Sequence, residues 1–220
     1  LQSDLYGTRL MKAAGYDPAA AIALQETFVR LSEGRRQNWL EGLFASHPPS
    51  QERVTRNRTT VAELGAGGDL GAERYQARIA PLKRAKPGYD KFDQAQAALQ
   101  KKDYAGAKAL ANDAAKLVPN EGVFHQLLGD ISLAEKRDQE AVPHYQKAMQ
   151  LNPGYFGSWL GAGVAQYRLK NRAQSEQYLK RSMELLPTAP AALYLGNMAR
   201  DSGDVDGALK LYQTASSSQS

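Results

Sequence analysis

The sequence predicts an all-α protein, a run of helices followed by a solenoid of helical hairpins. Three observations carry that prediction. Pro119, Pro153 and Pro187 recur at an interval of 34 residues. Between two of them, Gly122–Pro153 reads as a pair of helices, with Leu128, Gly129, Ala141, Tyr145 and Ala148 at positions suited to packing. Near-copies of that pair stand on both sides. Small residues let paired helices approach closely, and larger ones fill the grooves between hairpins.

Taken in order, residues 1–14 read as a helix, with Leu1, Leu5, Leu10 and Met11 near helical spacing. Gly15 is suited to stop it, and Asp17-Pro18 to start the next helix through Ala19–Ser32. Gly34 ends that helix. Residues 35–49 hold Trp39, Leu40, Leu43 and Phe44, too apolar for a plain linker, and predict a short helical turn before an ordered Ser46-His47-Pro48-Pro49 turn. Ser50 is a natural N-cap for a helix to about Glu63. Gly65-Ala66-Gly67-Gly68 reads as a flexible joint, so the expected division is 1–64, joint 65–68, and 69–215. Asp69 starts a helix to about Ala85 that is broken by Pro87-Gly88 and covers one open end of the stack. Tyr89–Lys101 and Tyr104–Leu117 then form the first hairpin. Three more follow, the last with one extra residue, and Ser216–Ser220 is expected to be disordered.

Composition removes several function classes. There is no cysteine, hence no disulfide, thiolate metal site or cysteine nucleophile. No apolar run approaches the roughly 18–20 residues that span a bilayer, so no transmembrane segment is expected. The net charge of +5 concentrates in residues 1–86. The repeats lack a basic stripe interleaved with aromatics, which argues against a nucleic-acid partner. The chain opens on Leu1 without a basic-then-apolar leader, and the expectation is a fragment or processed product.

A 34-residue period with this internal pattern is the tetratricopeptide signature. Such arrays bind many unrelated partners, so the signature predicts an interaction module and no particular activity. His47, His125 and His144 form no H-E-x-x-H and no pair three to five apart. On their own, Asp4, His47 and Arg53 read as a helix-start charge, a surface turn and a solvated basic helix.

Set in order, Asp4-Leu5-Tyr6-Gly7, Ala14-Gly15-Tyr16-Asp17-Pro18, and Ser46-His47-Pro48 with Arg53 resemble the C-terminal half of HtpX-type zinc metallopeptidases. Joined to tetratricopeptide repeats, the combination is similar to BepA-like periplasmic proteases of Gram-negative bacteria. The resemblance implies that residues 1–64 are the helical C-terminal part of a zincin-type domain. It implies that Asp4 hydrogen-bonds a zinc-bound histidine. It places His47 near the zinc as an auxiliary or inhibitory ligand, and Arg53 on the active-site face, where it would stabilise an anionic intermediate. The family's H-E-x-x-H and third-ligand glutamate are not in the chain. The expectation is therefore zinc in the intact parent, none tightly held by this fragment, and no peptidase activity from the fragment alone. Periplasmic location and a role in outer-membrane protein quality control follow from the same resemblance.

The repeats are expected to capture a protein or peptide, outer-membrane assembly machinery being one candidate. Pattern positions on the first helix of each hairpin put Tyr89, Gln96, Gln126, Asp130, Leu160, Val164, Tyr167 and Asn197 toward a groove, with Arg168 and Arg200 at its edge. The alternative is a non-enzymatic tetratricopeptide scaffold for complex assembly, with residues 1–64 as additional helices.

Overall fold

The structure, a computed structural model, describes residues 2–33 and 50–217. His47 and the expected helical turn in 35–49 lie outside the described residues. Those described form eleven helices and no strand. They are α1 (Gln2–Ala13), α2 (Ala19–Glu33), α3 (Gln51–Leu64), α4 (Ala72–Gln100), α5 (Tyr104–Leu117) and α6 (Gly122–Ala134), followed by α7 (Asp138–Leu151), α8 (Phe156–Arg168), α9 (Arg172–Leu185), α10 (Ala189–Asp201) and α11 (Val205–Ser217). Contacts divide the chain into Leu1–Ala80 and Pro81–Ser220, a division that falls inside α4.

In the first unit the local signals act as their chemistry suggests. Gly15 takes φ 83°, and the Tyr16 N–H reaches back to Met11 O at 2.9 Å, closing α1. Asp17 Oδ1 accepts from Ala19 N at 2.9 Å to start α2. Ser50 Oγ accepts from Arg53 N at 3.2 Å to start α3. Along α3, Val54, Asn57 and Val61 share the buried face, against which α1 and α2 pack. Leu10 does not contribute to burial, being 69% exposed.

The glycine run at 65–68 differs from the expected free joint. Asp69 N donates to Gly15 O (2.9 Å) and Asp17 N to Asp69 O (3.2 Å). Gly67 N reaches Asp17 Oδ1 at 3.2 Å, and Lys12 Nζ reaches Gly67 O at 3.1 Å. These bonds fix the run to the α1–α2 turn, a partner 50 residues away in sequence.

A second difference is α4, which continues through Pro81 and Pro87. Pro87-Gly88 is therefore not a break. An interior proline forfeits a helix hydrogen bond at a cost of about 3 kcal/mol, but the packing beyond it favours continuity. Gly88 is buried, and a Cβ there would lie 2.7 Å from Val118 Cγ2 and 3.4 Å from Phe124 Cε2. The glycine lets α4 press onto the hairpins rather than turning the chain. Along α4, Tyr75 and Leu82 are 61% and 69% exposed.

The second unit is a stack of hairpins, α4–α5, α6–α7, α8–α9 and α10–α11. Their turns carry positive φ at Lys102, Lys136, Lys170 and Gly203. At each turn the next residue's N–H bonds five residues back, as Arg137 N does to Ser132 O at 2.8 Å. The last interval is one residue shorter, correcting the expectation of an extra one. The tail also differs from expectation, since α11 includes Ser216 and Ser217. The core comes in successive patches. Ala95, Ala107, Ala111 and Leu127 form one, Tyr145, Met149 and Ala162 another, and Leu179, Leu195 and Met198 a third. Tyr145 is fully buried, and a Cβ on Gly129 would lie 2.8 Å from its ring. A Cβ on Gly161 would meet the same ring from the next hairpin.

Candidate functional site

Two surfaces carry chemistry, one in each unit. In the first, Asp4 sits in the opening turn of α1 and Arg53 in that of α3, whose start Ser50 fixes. The guanidinium grips the carboxylate with both prongs, Nε to Oδ2 at 2.8 Å and Nη2 to Oδ1 at 2.6 Å. The two side chains are only 19% and 14% exposed. The Asp4 hydrogen bond raises the Arg53 pKa against the opposing effect of burial, so the guanidinium stays charged. The structure thus joins two of the three residues singled out in this half. Beside them, an open cleft of about 660 Å³ is lined by Asp4, Arg9, Arg56, Asn57 and Thr60 among others. Among the described residues no three His, Cys, Asp or Glu side chains converge. The described residues therefore do not fit a zinc ion on their own.

On the repeats, the expected groove residues sort into distinct roles. Asp130 accepts from Tyr145 Oη at 2.6 Å and from Gln126 Nε2 at 3.5 Å, and Gln126 Oε1 accepts from Ser158 Oγ at 3.3 Å. A polar network thus links α6, α7 and α8. Burial raises the Asp130 pKa, outweighing the two hydrogen bonds that lower it. Burial and Asp130 push the Tyr145 phenol far up, so it remains a donor. Asn197 repeats the arrangement in the last hairpin, accepting from Tyr212 Oη at 2.9 Å.

Tyr89 bonds Glu121 and meets Phe124 edge-on at 5.1 Å. Gln96 is exposed. Tyr167 stands edge-on to Tyr194 at 5.1 Å, Arg168 Nη1 donates to Leu133 O and Asp138 Oδ1, both at 3.2 Å, and Arg200 is paired with Asp201. Two expected groove residues are placed otherwise. Val164 is buried, and Leu160 packs on the Leu179 cluster, because both fill the space between hairpins. The residue pattern had no cue for Ser158, Lys170 and Arg172. Only the folded turn brings the last two beside Tyr167.

The comparisons with known proteins divide along the same line. Residues 1–61 match Peptidase family M48, and residues 124–155 match Tetratricopeptide repeat. The second unit is a tetratricopeptide solenoid. A curated relative, Tetratricopeptide repeat-containing protein trd-1 of Caenorhabditis elegans, is 33% identical over 63 residues, 29% of this chain. The chain spans only 8% of that relative's length. Among solved structures, MamA aligns with a TM-score of 0.55 at 20% identity, covering 61% of this chain and 74% of that one. The first tetratricopeptide domain of Spaghetti (RPAP3) bound to the HSP90 peptide SRMEEVD aligns at 0.53 and 16% identity, covering 54% and 95%. At these identities the likeness is one of fold. No helix among the described residues is long and apolar enough to cross a membrane.

Proposed function

We propose that this chain is the C-terminal portion of a BepA-like periplasmic zinc metallopeptidase, whose repeats bring protein substrates or outer-membrane assembly partners to the catalytic half. The supporting observation is the occurrence in one chain of a Peptidase family M48 match at 1–61 and a tetratricopeptide array. In this reading Asp4 steadies a zinc-bound histidine supplied from outside the chain, and Arg53 holds Asp4 in place while presenting cationic charge to the site. His47 acts as an inhibitory ligand to the same zinc. The zinc, which supplies the hydrolytic chemistry when bound, needs ligands beyond the described residues. The array supplies binding, and a peptide-bound relative of the same fold supports that role.

The test uses the product of the whole reading frame containing this chain. Cleavage of an unfolded protein substrate should be abolished by a chelator, restored by zinc, and increased by His47→Ala. A product that does not cleave, or that cleaves equally with chelator present, would overturn the peptidase reading and leave the scaffold.

A further inference from the structure

At the turn of the third hairpin, a cavity of about 410 Å³ is lined by Tyr167, Arg168, Lys170, Arg172, Met198 and Asp201. Tyr167 and Arg168 end α8, Lys170 occupies the turn at φ 61°, and Arg172 opens α9. Met198 and Asp201 come from α10. Two neighbouring hairpins therefore build the walls, and the cavity falls in the size range of small ligand sites.

The charges in it are unevenly compensated. The Arg172 guanidinium donates to the Met198 carbonyl, a neutral acceptor that orients the group without cancelling its charge. Among the described residues, neither Arg172 nor Lys170 forms an ion pair. Arg168 is held by Leu133 O and shares Asp138. The cavity's own acid, Asp201, accepts from Arg200 at 2.8 and 3.0 Å. The start of α9 adds to the positive field. Asn171 makes no cap bond there, its amide instead donating to Gln166 Oε1 at 2.7 Å. Tyr167 contributes an aromatic wall beside these cations, and Met198 borders the cavity through the carbonyl that Arg172 holds.

We propose that this cavity is a docking site for an acidic side chain of a protein partner. The carboxylate sits between Lys170 and Arg172, and a flanking apolar residue packs against Tyr167. Charge complementarity selects the carboxylate, and the apolar wall favours a peptide over a hydrated inorganic anion. The inference rests on the partner-recruiting half of the proposed function and is independent of the peptidase half.

The test is fluorescence anisotropy of the full chain with a panel of N-terminally fluorescein-labelled octapeptides, each carrying two glutamates beside a leucine at different spacings. At least one should bind saturably at low salt and weaken as salt rises. Replacing its glutamates by glutamine should weaken binding about tenfold or more, as should Lys170→Glu. Lys170 is exposed and makes no side-chain bond among the described residues, so this variant should keep the wild-type melting temperature. Lys147→Glu, the same charge change on α7, should bind like wild type. Absence of saturable binding across the panel would overturn the proposal, as would equal affinity of the glutamine peptides or equal loss in Lys147→Glu. Displacement by millimolar phosphate at constant ionic strength would reassign the cavity to small anions and overturn the peptide assignment. Zinc content and cleavage by the whole product are separate readouts, so either half of the reading can fail alone.

Discussion

Removing one oxygen from Tyr145 tests the polar lock between hairpins. Tyr145→Phe keeps the ring seated against Gly129 and Gly161 but deletes the donor 2.6 Å from Asp130 Oδ1. Asp130 then keeps the Gln126 amide at 3.5 Å, a much weaker bond. A hydrogen bond to a charged, largely desolvated carboxylate is worth about 1.5–3 kcal/mol, and that is the expected loss at pH 7. The loss should shrink in acid. Burial holds the folded pKa of Asp130 above the ordinary carboxylate value, so on acidification Asp130 becomes neutral in the folded state before it does in the unfolded state. Its native-state cost therefore falls as pH drops through the folded pKa, and the deleted bond becomes one to a neutral acid, worth about 1 kcal/mol. Urea unfolding followed by circular dichroism at pH 7 and pH 4 measures both values. A loss below about 0.5 kcal/mol at pH 7, or one that does not shrink in acid, would refute the reasoning.

Three further outcomes are expected. Gly88→Ala places a methyl 2.7 Å from Val118 Cγ2 and should cost about 1–3 kcal/mol by overpacking, read as a lower urea midpoint. If Pro87-Gly88 were a free break, the alanine would be neutral or stabilising. Arg53→Lys keeps the charge but loses the two-pronged grip on Asp4, and should lower the stability of the first unit by about 1–2 kcal/mol, seen as faster amide exchange in α1 and α3. Burial lowers the His144 pKa, with His125 and Lys108 adding to the shift and Glu140 opposing it. The unfolded chain therefore takes up this proton first, so stability should fall as pH drops below about 6.5 and level off below the folded pKa. His144→Gln should flatten that slope in urea midpoints between pH 8 and pH 5, and an unchanged slope would remove His144 as its source.

Much of this architecture is written in local chemistry. Gly15, Asp17 and Ser50 act within a few residues of themselves, so their turn and caps can be read directly from sequence. The 34-residue period is legible because the same packing positions recur from hairpin to hairpin, Tyr145 facing Gly129 and Leu179 facing Gly163 at that interval. What escaped reading depends on distant partners. Gly65–Gly68 looks flexible until the α1–α2 turn supplies its hydrogen bonds. Gly88 looks like a breaker until Val118 and Phe124 arrive above it. Position within a repeat shows which side of a helix faces the groove but not how deeply a residue sinks, and so Val164 joins the core. In the first unit, Asp4 and Arg53 stand 49 residues apart, and their pairing is visible only once folded.

The central claim is that the array belongs to a zinc peptidase, and the most direct measurement is the zinc content of the purified whole reading-frame product by atomic emission. The account predicts about one zinc per chain, and a 10–100-fold weaker zinc affinity in Asp4→Asn, since second-layer hydrogen bonds to ligands act at that scale. A wild-type product containing no stoichiometric zinc would contradict it.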